Sequence, residues 1–260
     1  MQALKRDWGT MHIDHRKGGG PQLVFVNSLG ADLRMWDATV ESLPADWACL
    51  RMDKRGHGLS DRSSSDYGVP DLADDVLAAM NNAGMDGAYI IGCSVGGLIA
   101  QHVALAAPNR VIGLVLSNTA PILGAADLWR NRIDEIRSSG MAAMTDAILQ
   151  RWFGPAMLAR PESQLWRTLL ARADPEGYIA TCAAIADADI TDQLGGILQP
   201  VRVIGGRHDL ATPPAVVRAL TDALPRADLV MFEAAGHLPA IEEPKAFSDS
   251  LMDFIERTRE

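Results

Sequence analysis

Six short apolar runs in this chain each stop at glycine or a polar cluster, and that rhythm is its tightest constraint. Leu23–Val26 stops at Asn27-Ser28-Leu29-Gly30, Cys49–Met52 at Asp53-Lys54-Arg55-Gly56, and Tyr89–Ile91 at Gly92. Val111–Leu116 stops at Ser117-Asn118, Val201–Ile204 at Gly205-Gly206, and Leu229–Phe232 runs on to Gly236-His237. Near-continuous apolar strands alternating with longer helical patterns predict an α/β fold around a buried parallel sheet. In such sheets the polar groups that follow strand C-termini carry the chemistry. Ala3–Arg6 and Met11–His15 read as an antiparallel hairpin on one edge, which completes an eight-stranded, mostly parallel sheet flanked by helices.

The rhythm breaks once. Between residues 122 and 189 no strand is expected, only helical stretches at Asp127–Ser138, Met144–Phe153, Pro161–Ala173 and Pro175–Ala186. Proline near the start of the last two suits a first turn, where its missing N–H would be unpaired anyway. The expected organisation is a core at 1–121 and 190–260, with an all-helical cap at 122–189 inserted before the last two strands. A helical insertion above the C-terminal edge of a sheet is a natural lid.

The formal net charge is −9, from 24 basic against 33 acidic residues. That balance argues against nucleic acid as a partner, since phosphate neutralisation needs a basic face. No apolar stretch is long enough to span a membrane, and Met1–Thr10 has no apolar segment of a secretory signal. Cys49, Cys93 and Cys182 fit neither a disulfide framework nor a zinc pattern. A cytoplasmic protein is expected, with the oligomeric state left open.

Gly92-Cys93-Ser94-Val95-Gly96 lies between an apolar strand and a helical run, the setting of the nucleophile elbow G-x-S-x-G. Small flanking residues let the turn pinch, so that the serine stands clear of the sheet over a helix N-terminus. The motif alone is common by chance; its partners give it weight. Asp209 follows the Val201–Ile204 run and His237 follows the last run, in the order Ser–Asp–His. His237 is suited to take the Ser94 proton, and Asp209 to orient the imidazole. His57, His102 and His208 read as structural or surface residues, His12 and His15 belong to the hairpin, and Asp53 and Asp32 read as turn and cap residues. The backbone N–H groups of Leu29 and Val95 are the expected oxyanion hole. No metal-binding pattern and no phosphate loop occurs, so a reaction without metal or cofactor is expected.

With these residues in place the chain resembles the α/β-hydrolases, through Gly92–Gly97, Arg55-Gly56-His57-Gly58-Leu59-Ser60, Gly206–Pro213 and Gly236-His237. Within them it resembles the 3-oxoadipate enol-lactonases, through Asn27–Gly30 with Met35-Trp36, Arg151-Trp152-Phe153, Glu176-Gly177-Tyr178, Cys182–Ile185 and His208–Pro213. The resemblance implies hydrolysis of 3-oxoadipate enol-lactone, a step in aromatic catabolism, by a carboxylic ester hydrolase. A general carboxylesterase is the alternative, and a non-catalytic ligand receptor on the same fold stands behind it. Such a lactone carries a free carboxylate, and the stretch from 122 to 189 holds seven arginines and no lysine. Arginine suits bidentate carboxylate recognition. Arg151 beside Trp152 is the leading candidate, with Arg34 second.

Overall fold

A computed structural model describes residues 1–259. The chain opens with a hairpin, β1 (Gln2–Arg6) and β2 (Gly9–Arg16), and enters the sheet proper at β3 (Gln22–Val26). A short helix α1 (Asp37–Ser42) leads to β4 (Ala48–Met52), then α2 (Val69–Ala83), β5 (Ala88–Cys93), α3 (Val95–Ala106) and β6 (Val111–Ser117). Four helices follow without a strand: α4 (Ala126–Trp152), α5 (Pro155–Leu158), α6 (Ser163–Ala171) and α7 (Pro175–Ala186). The chain then returns through β7 (Val201–Gly206), α8 (Pro214–Ala223), β8 (Ala227–Phe232), α9 (Pro239–Glu242) and α10 (Pro244–Thr258).

The eight strands form one sheet in the order β1-β2-β4-β3-β5-β6-β7-β8. Pairing is antiparallel from β1 to β2 and from β2 to β4, and parallel everywhere else. The expected edge hairpin and parallel interior are both present. β3 has β4 on one side and β5 on the other, so their outgoing loops diverge above β3 and leave a crevice at the carboxyl ends. Leu23–Val26 and the whole of β5 are buried, as strands covered on both faces must be. Trp36 fills the space beside them, with its ring 5.3 Å from Phe25 and its indole N–H donated to Asn27 Oδ1 at 2.9 Å.

The helical insertion differs from expectation in its divisions. The first two expected helices run on as one, α4, broken at Gly140, whose φ of 76° and ψ of 165° are not helical. Glycine alone takes that conformation without strain, which is why a break falls there. Pro155 starts a single further turn, α5, that periodicity could not show in four residues. α6 begins at Ser163, two residues beyond Pro161, whereas Pro175 does open α7, with the Asp174 carboxylate accepting from the Glu176 amide at 3.1 Å. α4 packs against both α6 and α7.

Candidate active site

Ser94 occupies the turn between β5 and α3 with φ 57° and ψ −121°. Only two residues other than glycine, Ser94 and Asn118, have positive φ among the described residues. Backbone held this way is strained and needs over-determination by its surroundings. Here the Ser94 amide donates to Ser117 O at 2.9 Å, and its carbonyl accepts from Gly97 N at 2.9 Å and Thr119 Oγ1 at 2.7 Å. The flanking glycines are enforced by close approach. A Cβ on Gly92 would lie 2.2 Å from Gly96 O, and one on Gly96 would lie 2.1 Å from Val26 O. The small residues expected around the elbow are therefore required by contact of α3 with β5 and β3.

His237 Nδ1 lies 2.8 Å from Asp209 Oδ2, and both side chains are buried. The Asp209 carboxylate accepts further: Oδ1 from the amides of Ala211 (2.7 Å) and Thr212 (3.0 Å), and Oδ2 from Thr212 Oγ1 and Asn118 Nδ2 (2.8 Å). Burial raises the pKa of this carboxyl, but the His237 ring and these donors outweigh it and hold Asp209 well below the usual carboxylate range. In the sequence Asn118 was only part of the polar stop after Val111–Leu116, with no role assigned. It directly follows β6, in the second strained turn, and also donates to Gly236 O at 3.1 Å, so one side chain fixes both the acid and the histidine loop.

The histidine loop is tied to the cap. His237 N–H donates to Trp152 O at 2.7 Å. Beneath it the buried Glu242 carboxylate accepts from the amides of Gly154 (2.7 Å), Gly236 (2.8 Å) and Leu238 (3.3 Å). Burial pushes the Glu242 carboxyl up, and the three amides partly offset it.

Ser94 and His237 open into a closed-in cavity of about 100 Å³, which Leu29, Trp129, Trp152 and Tyr178 also line. Leu29 N–H has no partner among the described residues. Val95 is the first residue of α3, so its amide has no carbonyl one turn back to meet. Neither of these two amides has a hydrogen-bond partner among the described residues. Trp152 is a buried wall residue, edge-on to Phe153 at 6.1 Å.

Two arginines enter this cavity, Arg132 and Arg151, both from α4. Arg132 lies 5.4 Å from the Trp129 ring and donates to Tyr178 Oη at 3.4 Å. Burial, with the like charge of Arg132, lowers the pKa of Arg151. Neither makes an ion pair among the described residues. Arg151 is where the sequence suggested, whereas Arg132 was one of seven cap arginines with nothing to single it out. Arg34 corrects the expectation: its side chain forks onto Asp32 and lines a separate surface cleft under α6, outside the Ser94 cavity. Its guanidinium is turned to Asp32 rather than into the Ser94 cavity.

The other histidines take no part in this cavity. His12 Nδ1 lies 2.7 Å from Asp53 Oδ2, a second His–Asp pair that pins the hairpin to the turn after β4. His57 is buried with Nδ1 on Arg55 O and no partner at Nε2, and burial drives its pKa down to about 3.

A buried parallel sheet with a serine elbow, facing a His–Asp pair under a helical cap, defines an α/β hydrolase. The chain belongs to the alpha/beta hydrolase fold family, whose profile matches residues 21–244. Among curated relatives, 3-oxoadipate enol-lactonase 2 of Acinetobacter baylyi is 31% identical over 239 residues, covering 91% of this chain and 89% of that one. A pimeloyl-[acyl-carrier protein] methyl ester esterase of Vibrio parahaemolyticus is 29% identical over 253 residues, covering 92% and 96%. The crystal structure of the enol-lactonase from Burkholderia xenovorans superposes with a TM-score of 0.94 at 34% identity, covering 98% of this chain and 100% of that one. No helix is long and apolar enough to cross a membrane among the described residues.

Proposed function

We propose that the protein hydrolyses a small lactone bearing a carboxylate, with 3-oxoadipate enol-lactone the substrate favoured by resemblance. The observation that carries this reading is the pair of arginines, Arg132 and Arg151, entering the Ser94 cavity without an acidic partner. Both are half-buried, and a cation partly withdrawn from water without a counter-charge is a ready partner for a ligand's carboxylate. The −9 net charge gives an anion no overall attraction, so its recognition must be local. Residues 122–189 act as the cap over a core formed by 1–121 and 190–260, in a cytoplasmic enzyme of aromatic catabolism.

In this mechanism Ser94 Oγ attacks the lactone carbonyl while His237 takes its proton, and Asp209 stabilises the imidazolium. The oxyanion sits against the amides of Leu29 and Val95. Its collapse breaks the ring C–O bond and releases an enol oxygen, which takes the proton from His237 and stays tethered through the acyl chain. Water, deprotonated by His237, then attacks the acyl-enzyme and frees the acid and Ser94. No metal or cofactor has a role in these steps.

Similarity to a methyl ester esterase supports a second reading, a general carboxylesterase with the same triad. One comparison separates them: kcat/KM on freshly generated enol-lactone against p-nitrophenyl acetate. The lactonase reading expects a preference of about a hundredfold or more, since only the anion engages both arginines. A ratio near one favours the esterase, and turnover surviving in Ser94→Ala sinks both.

A further inference from the structure

Lys54 lies two residues past the end of β4 and is only 4% exposed. Lysine is rarely buried so deeply without a carboxylate, because its ammonium is compact and strongly hydrated. Here Nζ donates to two backbone carbonyls, Ser28 O at 2.9 Å and Asn27 O at 3.2 Å, and to no acid. The nearest carboxylates are engaged elsewhere. Asp53 accepts from the Leu33 amide (2.8 Å), the Leu59 amide (3.0 Å) and the His12 ring, and Asp32 holds Arg34.

The position of those carbonyls gives Lys54 its meaning. No cis peptide bond occurs among the described residues, so the Ser28 carbonyl and the Leu29 N–H, being in one planar trans unit, point in opposite directions. Whatever grips the carbonyl aims the amide. The Ser28 oxygen also takes the Ala31 amide at 3.3 Å, and the Ser28 N–H meets Met35 Sδ at 3.4 Å. The loop is thus held from both sides, with Leu29 at the Ser94 cavity.

The geometry assigns Lys54 as a positioning residue of the oxyanion hole: by gripping the Ser28 carbonyl it turns the Leu29 N–H toward the oxygen that becomes negative when Ser94 attacks. This rests on the mechanism above, in which Ser94 is the nucleophile and Leu29 a donor. A cation on the carbonyl also polarises the peptide, which makes its N–H a stronger donor to developing charge. The distinction from simple gap-filling is electrical, so it has an electrical readout.

The charged and titratable groups around the ammonium come from several elements. They are the carboxylates of Asp53 and Asp32, the His57 ring, and the Cys93 thiol at the end of β5. Burial, opposed by those carboxylates, lowers the Lys54 pKa to about 7. Lys54 is therefore charged below that pH and neutral above it. Its polarising effect fades as pH rises, so kcat declines on the alkaline side.

The test measures kcat and KM for Lys54→Met and Lys54→Gln against the wild type, from about pH 5.5 to about pH 9. p-Nitrophenyl acetate is the main probe, with the enol-lactone alongside. Both replacements have linear side chains and orphan no acid, since Asp53 and Asp32 keep their partners; if one fails to fold, the other carries the measurement. Either is expected to lower kcat about tenfold, less than removal of a donor itself, with KM changed less than twofold. The alkaline decline near pH 7 should vanish with the ammonium. Wild-type kcat in a folded variant overturns the assignment, as does an alkaline decline that persists in it. Failure of the lactone reading looks different: wild-type enzyme would not prefer the lactone, while the Lys54 effect on the neutral ester would stand.

Discussion

Asn118 Nδ2 and Asp209 Oδ2 are 2.8 Å apart, and the same oxygen faces His237 Nδ1 at 2.8 Å. Asn118 thereby sets the direction in which the acid presents its charge to the imidazole, from a strained turn that belongs to a different strand. Its side-chain oxygen is fixed in turn by Ser117 Oγ at 2.8 Å.

Removing that brace should cost catalysis rather than binding. A hydrogen bond to a charged group contributes about 1.5–3 kcal/mol, so Asn118→Ala is expected to lower kcat about ten- to a hundredfold with KM little changed. Asn118→Asp should be worse, because it sets a second carboxylate against Asp209. Steady-state kinetics decide it, and wild-type kcat in Asn118→Ala would remove Asn118 from the machinery.

Arg132 and Arg151 should govern affinity for an anion and leave a neutral ester alone. Arg132→Met and Arg151→Met are each expected to raise KM for the enol-lactone about tenfold or more, as loss of a charge-assisted bond requires. The two share one cavity and repel each other, so their effects should not add. Equal losses on lactone and p-nitrophenyl acetate would show that neither holds the carboxylate.

His57 makes stability depend on acid. Its folded pKa is lowered to about 3, against about 6.5 in an unfolded chain. Between those values the unfolded state binds a proton that the native state refuses. This contribution to stability is therefore complete above about pH 6.5 and is lost as pH falls toward about 3, at up to about 1.4 kcal/mol per pH unit. Urea unfolding of the wild type and His57→Gln at several pH values reads the difference. The variant should lose stability less steeply; parallel curves would rule His57 out as the cause.

The sheet, and the strand ends that carry Ser94, Asp209 and His237, could be seen in the sequence because each strand has a local signature: an apolar run, then a glycine or polar stop. Asn118 had no such mark. It stood in a polar stop like many others, and its importance comes from β6 and β7 being neighbours in the sheet though the cap separates them in the chain. Arg132 was hidden for another reason. Which face of α4 turns inward depends on how α4 packs on α7 and on the break at Gly140, neither of which a hydrophobic period encodes. Arg34 did carry a local warning, since Asp32 lies two residues before it at the cap of a short helical turn. Lys54 is invisible by composition, because a lysine in a polar turn is ordinarily a solvated one.

Glu242 binds Gly154 and Gly236 at once, while Trp152 O holds the His237 amide. The end of α4 is consequently riveted to the loop that carries His237. Leu123, Leu128 and Trp129, toward the other end of α4, meet the cavity with no hydrogen bond to that loop among the described residues. Substitutions at Leu123, Leu128 or Trp129 are therefore expected to reshape the cavity wall with less effect on His237 than substitutions around Gly154, whose amide shares Glu242 with Gly236.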